Sequence, residues 1–97
     1  MKIKIGGHEI TVIVKESIID EGGNALNGFY REREGVILIS RQAGAMMAET
    51  LIHEVMHAVD TIFNNGKLDE DTIDALAQGW LQVLKGRDVF KALKGGE

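Results

Sequence analysis

Glu49-Thr50-Leu51-Ile52-His53-Glu54-Val55-Met56-His57-Ala58-Val59-Asp60-Thr61-Ile62-Phe63 is the stretch on which the reading of this chain turns. With about 100° per residue and His53 at zero, Ala48, Leu51, Ile52, Val55, Met56, Val59, Ile62 and Phe63 fall within an arc of about 140°. That spacing predicts one strongly amphipathic helix over residues 43 to 63. Asn64-Asn65-Gly66 supplies its C-terminal stop. His53 and His57 lie beyond the edge of the apolar arc, on the polar side.

Upstream of this helix the pattern is β. Lys2-Ile3-Lys4-Ile5 alternates, Gly6-Gly7-His8-Glu9 supplies a turn, and Ile10 to Val14 is β-branched throughout, which together read as a hairpin. Over residues 17 to 27, Ile18 and Ile19 read as buried, among the turn signals Gly22-Gly23-Asn24 and Asn27-Gly28. Phe29 to Glu32 and Val36 to Ser40 flank a charged turn, Arg31 to Glu34, that ends at Gly35, and form a second antiparallel pair. The unbroken apolar run at 36–39 predicts a strand covered on at least part of both faces.

Downstream, Asp69 is the expected N-cap of a second helix, with Glu70 and Asp71 in the first turn, where the dipole favours acids. Ile73, Leu76, Ala77, Trp80 and Leu84 form its apolar stripe, and Trp80 is the expected core anchor. Gly86 is expected to end or kink it. Asp88 is expected to cap a short last helix, Val89 to Leu93, and residues 94–97 to fray. The fold class is therefore α+β: a small antiparallel sheet, made of a hairpin and a second strand pair, followed by the His-bearing helix and a second packing helix. The whole of 1–97 forms one domain, mainly β to residue 40 and mainly helical over 41–93.

Composition narrows the function classes. The chain has 97 residues and no cysteine, so disulfides are excluded and any metal must be held by His and carboxylates. The lack of cysteine fits a cytoplasmic protein. The first residues, Met1 to Gly7, lack the apolar core of a secretory leader, and no apolar run reaches membrane-spanning length. Fifteen acidic residues against 11 basic ones, a net charge of −4, argue against nucleic-acid binding, which needs a basic face. Oligomeric state has no signature in the sequence.

The chemistry lies in His53-Glu54-Val55-Met56-His57. Residues i and i+4 of a helix sit about 40° apart and one turn along, so both imidazoles reach one point and can share a tetrahedral Zn²⁺. Glu54 lies beside them, placed to take a proton from a metal-bound water without ligating the metal. A catalytic zinc site needs a third protein ligand. His8 falls in a hairpin turn, so a carboxylate is expected. Glu70 opens the second helix about 60° from the centre of its apolar stripe and can face the first helix. Asp74, one turn on, is the expected outer partner for a ligand His N–H, or an alternate ligand. Asp71 points further outward. Asp60, close to His53 on the wheel, is a backup ligand, an outer partner or a solvated residue. Met46, Met47 and Met56 read as packing residues, Tyr30 as a sheet residue and His8 as a turn residue.

His53-Glu54-x-x-His57 followed by Glu70-x-x-x-Asp74 resembles the HExxH plus ExxxD arrangement of the gluzincins, the thermolysin-like zinc peptidases. The connection is shorter here, and the chain is more similar to minimal gluzincins and the short phage- or mobile-element-type metallopeptidase domains. The resemblance covers residues 36 to 84. It implies a zinc-dependent endopeptidase acting on a peptide or protein substrate. It also implies a rim strand, here Val36 to Ser40, on which an extended substrate adds, although the apolar 36–39 run reads equally as a central strand. Gluzincins further supply a His or Tyr to the oxyanion, and no motif here matches it. The alternative is a non-catalytic or latent zinc-stabilised regulatory or interaction domain that retains the same helix.

Overall fold

The computed structural model of the chain describes residues 1–86. The final helix and frayed tail expected after Gly86 lie outside them. In chain order the elements are β1 (Lys2–Ile5), β2 (His8–Lys15), β3 (Gly28–Arg31), β4 (Val36–Ser40), a 3-10 segment (Arg41–Met46), α1 (Met47–Asn64) and α2 (Glu70–Gly86). The fold is α+β, a four-stranded sheet with two helices.

Both expected hairpins form. β1 pairs antiparallel with β2 across Gly6 and Gly7, whose φ values of 55° and 83° suit the tight turn. β3 pairs antiparallel with β4. The hairpins then join through a parallel β2–β4 pairing, so the strand order is β1-β2-β4-β3 and the sheet is mixed rather than antiparallel throughout. The connection from β2 to β3 makes this possible. It folds back on itself through an Ile19–Ala25 bridge, with the Asp20 carboxylate accepting from the backbone N–H groups of Gly22 and Asn24 at 2.9 and 2.8 Å.

β4 is therefore an inner strand and β3 forms the rim, so of the two readings of Val36 to Ser40 the central one holds and the rim-strand role implied by the resemblance falls to β3. The apolar run at 36–39 has a physical reason. Ile37 and Ile39 point into the core under α1, together with Ile5, Ile10, Val12 and Ala58. Leu38 points the other way, against Ile18 and Leu26, and is buried as well.

α1 begins at Met47 and not at 43, because Gly44 (φ 58°, ψ −124°) interrupts the helical path and leaves the preceding turn as 3-10. Its end is as expected. Asn65 adopts the left-handed conformation (φ 54°), and the N–H groups of Asn65 and Gly66 both bond the Asp60 carbonyl. Asp69 caps α2, its carboxylate accepting from Thr72 N–H at 2.8 Å. In α2, Ile73 and Ala77 are fully buried, whereas Trp80 is 50% exposed and is not the core anchor. The helices run antiparallel, with Asp74 opposite His53. No helix among the described residues is long and apolar enough to cross a membrane.

Candidate metal centre

α1 presents His53 and His57 one turn apart, facing the start of α2, and their Nε2 atoms lie 3.1 Å from each other. Glu70, the first residue of α2, closes the group. Its carboxylate oxygens lie 2.6 Å from His53 Nε2 and 3.1 Å from His57 Nε2. These three residues form a group that could hold a metal ion. His8, the third histidine, is exposed at the start of β2 and takes no part.

The fit can be tested on the donor inventory. His53 Nδ1 lies 2.8 Å from Asp74 Oδ1, which places the ring N–H on Nδ1 and leaves Nε2 as a bare lone pair. That lone pair faces a carboxylate oxygen and a second imidazole Nε2. Acceptors at such distances repel unless a proton or a cation lies between them. A tetrahedral site with bonds of about 2.0–2.1 Å has edges of about 3.3 Å. The observed separations of 2.6 to 3.3 Å are this size or slightly tighter. Glu70, with a side chain 62% exposed, has room to open by the difference. The residues fit.

Glu54 does not point into this group as a ligand. It is 9% exposed, wedged between α1 and β3. Burial pushes its carboxyl pKa above the ordinary 4.5; the neighbouring His53 and His57 pull it back, Glu70 adds to the rise, and the Tyr30 backbone N–H lowers it. A buried carboxyl with raised proton affinity beside a metal group is a typical setting for a general base.

β3 supplies the other wall. Ser40 N–H bonds the Asn27 carbonyl at 2.8 Å. With the antiparallel alternation this makes Phe29–Leu38 and Arg31–Val36 the bonded pairs and leaves the backbone groups of Gly28 and the Tyr30 carbonyl on the outer edge, while the Tyr30 N–H turns to the Glu54 carboxylate. A cleft of about 560 Å³ runs beside this edge, lined by residues including Phe29, Tyr30, His53, Glu54, His57 and Glu70. A smaller cavity of about 250 Å³ continues past His53 toward Asn27, Met46, Glu49 and Asp74.

Two residues carry roles that the sequence did not give them. Asp60 is neither a ligand nor solvated. It is 5% exposed and its carboxylate accepts from Asn64 Nδ2 at 2.9 Å and from Leu68 N–H at 3.3 Å. It folds the connection that delivers Glu70. Gly28, read as a turn residue, lets α1 approach β3: a Cβ there would meet Thr50 Cγ2 at 2.5 Å and Glu54 Cγ at 3.2 Å. The only sequence signal for that contact is a glycine next to a strand pattern. Tyr30 is a strand residue, as expected, and it lines the cleft as well.

No protein-family model, curated protein or solved structure matches the chain.

Proposed function

We propose that the chain is a zinc-dependent endopeptidase of gluzincin-like type, with His53, His57 and Glu70 as ligands and Glu54 as general base. One observation carries the reading: two imidazole nitrogens and a carboxylate converge, and a buried, non-ligating carboxyl of raised pKa stands beside them. A two-nitrogen, one-oxygen donor set suits zinc, whereas calcium and magnesium favour oxygen alone. Three protein ligands leave a fourth position open. Bound there, zinc supplies a Lewis acid that acidifies water and polarises a carbonyl.

The chain's own residues do the rest. Asp74 fixes the His53 tautomer through Nδ1–H. Glu54 holds the proton abstracted from the attacking water and returns it to the departing amine. The backbone groups of Gly28 and the Tyr30 carbonyl pair with an extended peptide, which orients the scissile bond without demanding much sequence. The cleft beside them is open enough for a polypeptide to pass. In a purified, zinc-loaded protein, Glu54→Gln should keep its metal and lose hydrolysis of a casein or peptide-library substrate. Unchanged hydrolysis in that variant refutes the mechanism.

A second reading has its own support. Glu70 and Asp74 tie α2 to α1 through the two histidines, so a metal there would staple a helix that is deeply buried at only Ile73 and Ala77. If zinc raises stability while no peptide is cleaved and Glu54→Gln changes nothing, the domain is a structural or latent one.

A further inference from the structure

The cavity beyond His53 has a composition that the catalytic proposal leaves unused. It measures about 250 Å³, under the usual range of about 300–1,000 Å³ for drug-sized ligand sites, and so suits a single side chain. Glu49 stands on its wall, half-buried, and makes no ion pair among the described residues. Asp74 adds a second carboxylate, with Oδ1 already engaged by His53. Thr50, 8% exposed, also lines it and adds a hydroxyl. Met46 gives the wall a flexible apolar stretch, and among the described residues no lysine or arginine lines the cavity.

We infer that this cavity is a specificity pocket for a basic side chain, arginine or lysine, of the bound peptide. The inference rests on the peptidase reading for the peptide's path along β3, and it adds which residue the peptide carries there. A long aliphatic stem packs on Met46 while its cationic head reaches Glu49 and Asp74. The Thr50 hydroxyl accepts one of the remaining N–H groups. An arginine fits best, because its planar fork offers several donors at once to carboxylates on two walls. An acidic side chain would meet Glu49, Glu54 and Asp74 with no compensating cation.

The test is binding, which does not depend on turnover. Blocked pentapeptides with a central arginine, citrulline or glutamate flanked by alanines are titrated into the zinc-loaded Glu54→Gln protein. Affinity is read by calorimetry and the site by backbone amide shifts. A charge-assisted contact predicts that the arginine peptide binds about tenfold more tightly than its neutral citrulline isostere, with shifts at Asn27, Glu49 and Thr50. The advantage should disappear in Glu49→Gln and weaken as salt rises. Glu49→Lys should turn the preference toward the glutamate peptide. Equal affinity for arginine and citrulline, or a preference that survives Glu49→Gln, overturns the inference. The two readings separate cleanly. Hydrolysis by the wild-type protein without basic preference sinks only the pocket, whereas arginine-selective binding without any hydrolysis sinks only the peptidase.

Discussion

Replacing Gly28 with alanine tests how the site is built. The added Cβ would lie 2.5 Å from Thr50 Cγ2, 3.2 Å from Glu54 Cγ and 3.2 Å from the Leu38 carbonyl oxygen. Carbon atoms rest at about 3.5–4.0 Å, so α1 and β3 must part by about 1 Å. Thr50 cannot turn aside easily, since a β-branched side chain on a helix is held at χ1. Overpacking of this kind costs about 1–3 kcal/mol. Gly28 does not hold a left-handed φ, so alanine also restricts the unfolded chain and recovers about 0.4–1 kcal/mol. At the middle of these ranges the net loss is about 1.3 kcal/mol, equivalent to a fall in Tm of about 5–10 °C for a domain of this size. The assay is thermal unfolding followed by circular dichroism for wild type, Gly28→Ala, Thr50→Ser and the double variant, each metal-free. Thr50→Ser deletes the clashing methyl, so the alanine penalty should shrink by more than half in that background. Such coupling is the signature of direct contact. A Gly28→Ala protein that melts at or above wild type, or a penalty unchanged by Thr50→Ser, would show that α1 does not approach β3 as described.

Other outcomes follow from the same geometry. Glu70→Ala should abolish high-affinity zinc binding in a chelator competition, while Asp74→Ala, which loses only the partner of His53 Nδ1, should weaken it about 10–100-fold. Equal effects would mean that the roles are assigned wrongly. Asp60→Ala removes the buried carboxylate that accepts from Leu68 N–H and Asn64 of an exposed turn and should lower urea-unfolding stability by about 0.5–1.5 kcal/mol. The folded fraction should still bind one zinc per chain, and total loss of binding would make Asp60 a ligand after all. Glu54 gives a pH dependence. Its folded pKa is raised above its ordinary 4.5, so its contribution is fully present below that value and is lost as pH rises through the folded pKa. Metal-free wild type should therefore lose stability relative to Glu54→Gln between acid and neutral pH, and parallel curves for the two proteins would contradict the burial effect.

What the sequence made legible was mostly local. His53 and His57 are one turn apart whatever the tertiary fold, and Asp69 with Glu70 marks a helix start from side-chain chemistry alone. The depth of burial was not local. Trp80 shares the apolar stripe of Ile73 and Ala77, but the periodicity of one helix carries no information about where its partner ends. Register between hairpins was equally out of reach. Each hairpin is specified by its own turn, whereas the parallel β2–β4 pairing depends on a twelve-residue connection whose path is set by the Asp20 turn and by Leu38 finding cover under Ile18 and Leu26. For the same reason the apolar run at 36–39 left edge and centre undecided. Asp60 sat on the right wheel angle for a ligand, and only the folded connection shows that its carboxylate turns to Leu68 instead.

The placement of Asp60 explains how so short a chain completes a three-residue metal group. Two of the candidate donors come from one helix at no conformational cost beyond forming the helix. The third must come from elsewhere, and the chain entropy of bringing it in is smallest when the loop is short and already ordered. Only twelve residues lie between His57 and Glu70. Within them, the left-handed Asn65, the Asp60 carbonyl bonds to Asn65 and Gly66, and the Asp60 carboxylate on Leu68 fix the path before any metal arrives. Asp69 then starts α2 so that Glu70 is its first residue, and burial of Ile73 and Ala77 orients the helix. The carboxylate therefore meets the imidazoles as a consequence of the turn and the cap. A metal at the three donors would strengthen that arrangement instead of having to create it.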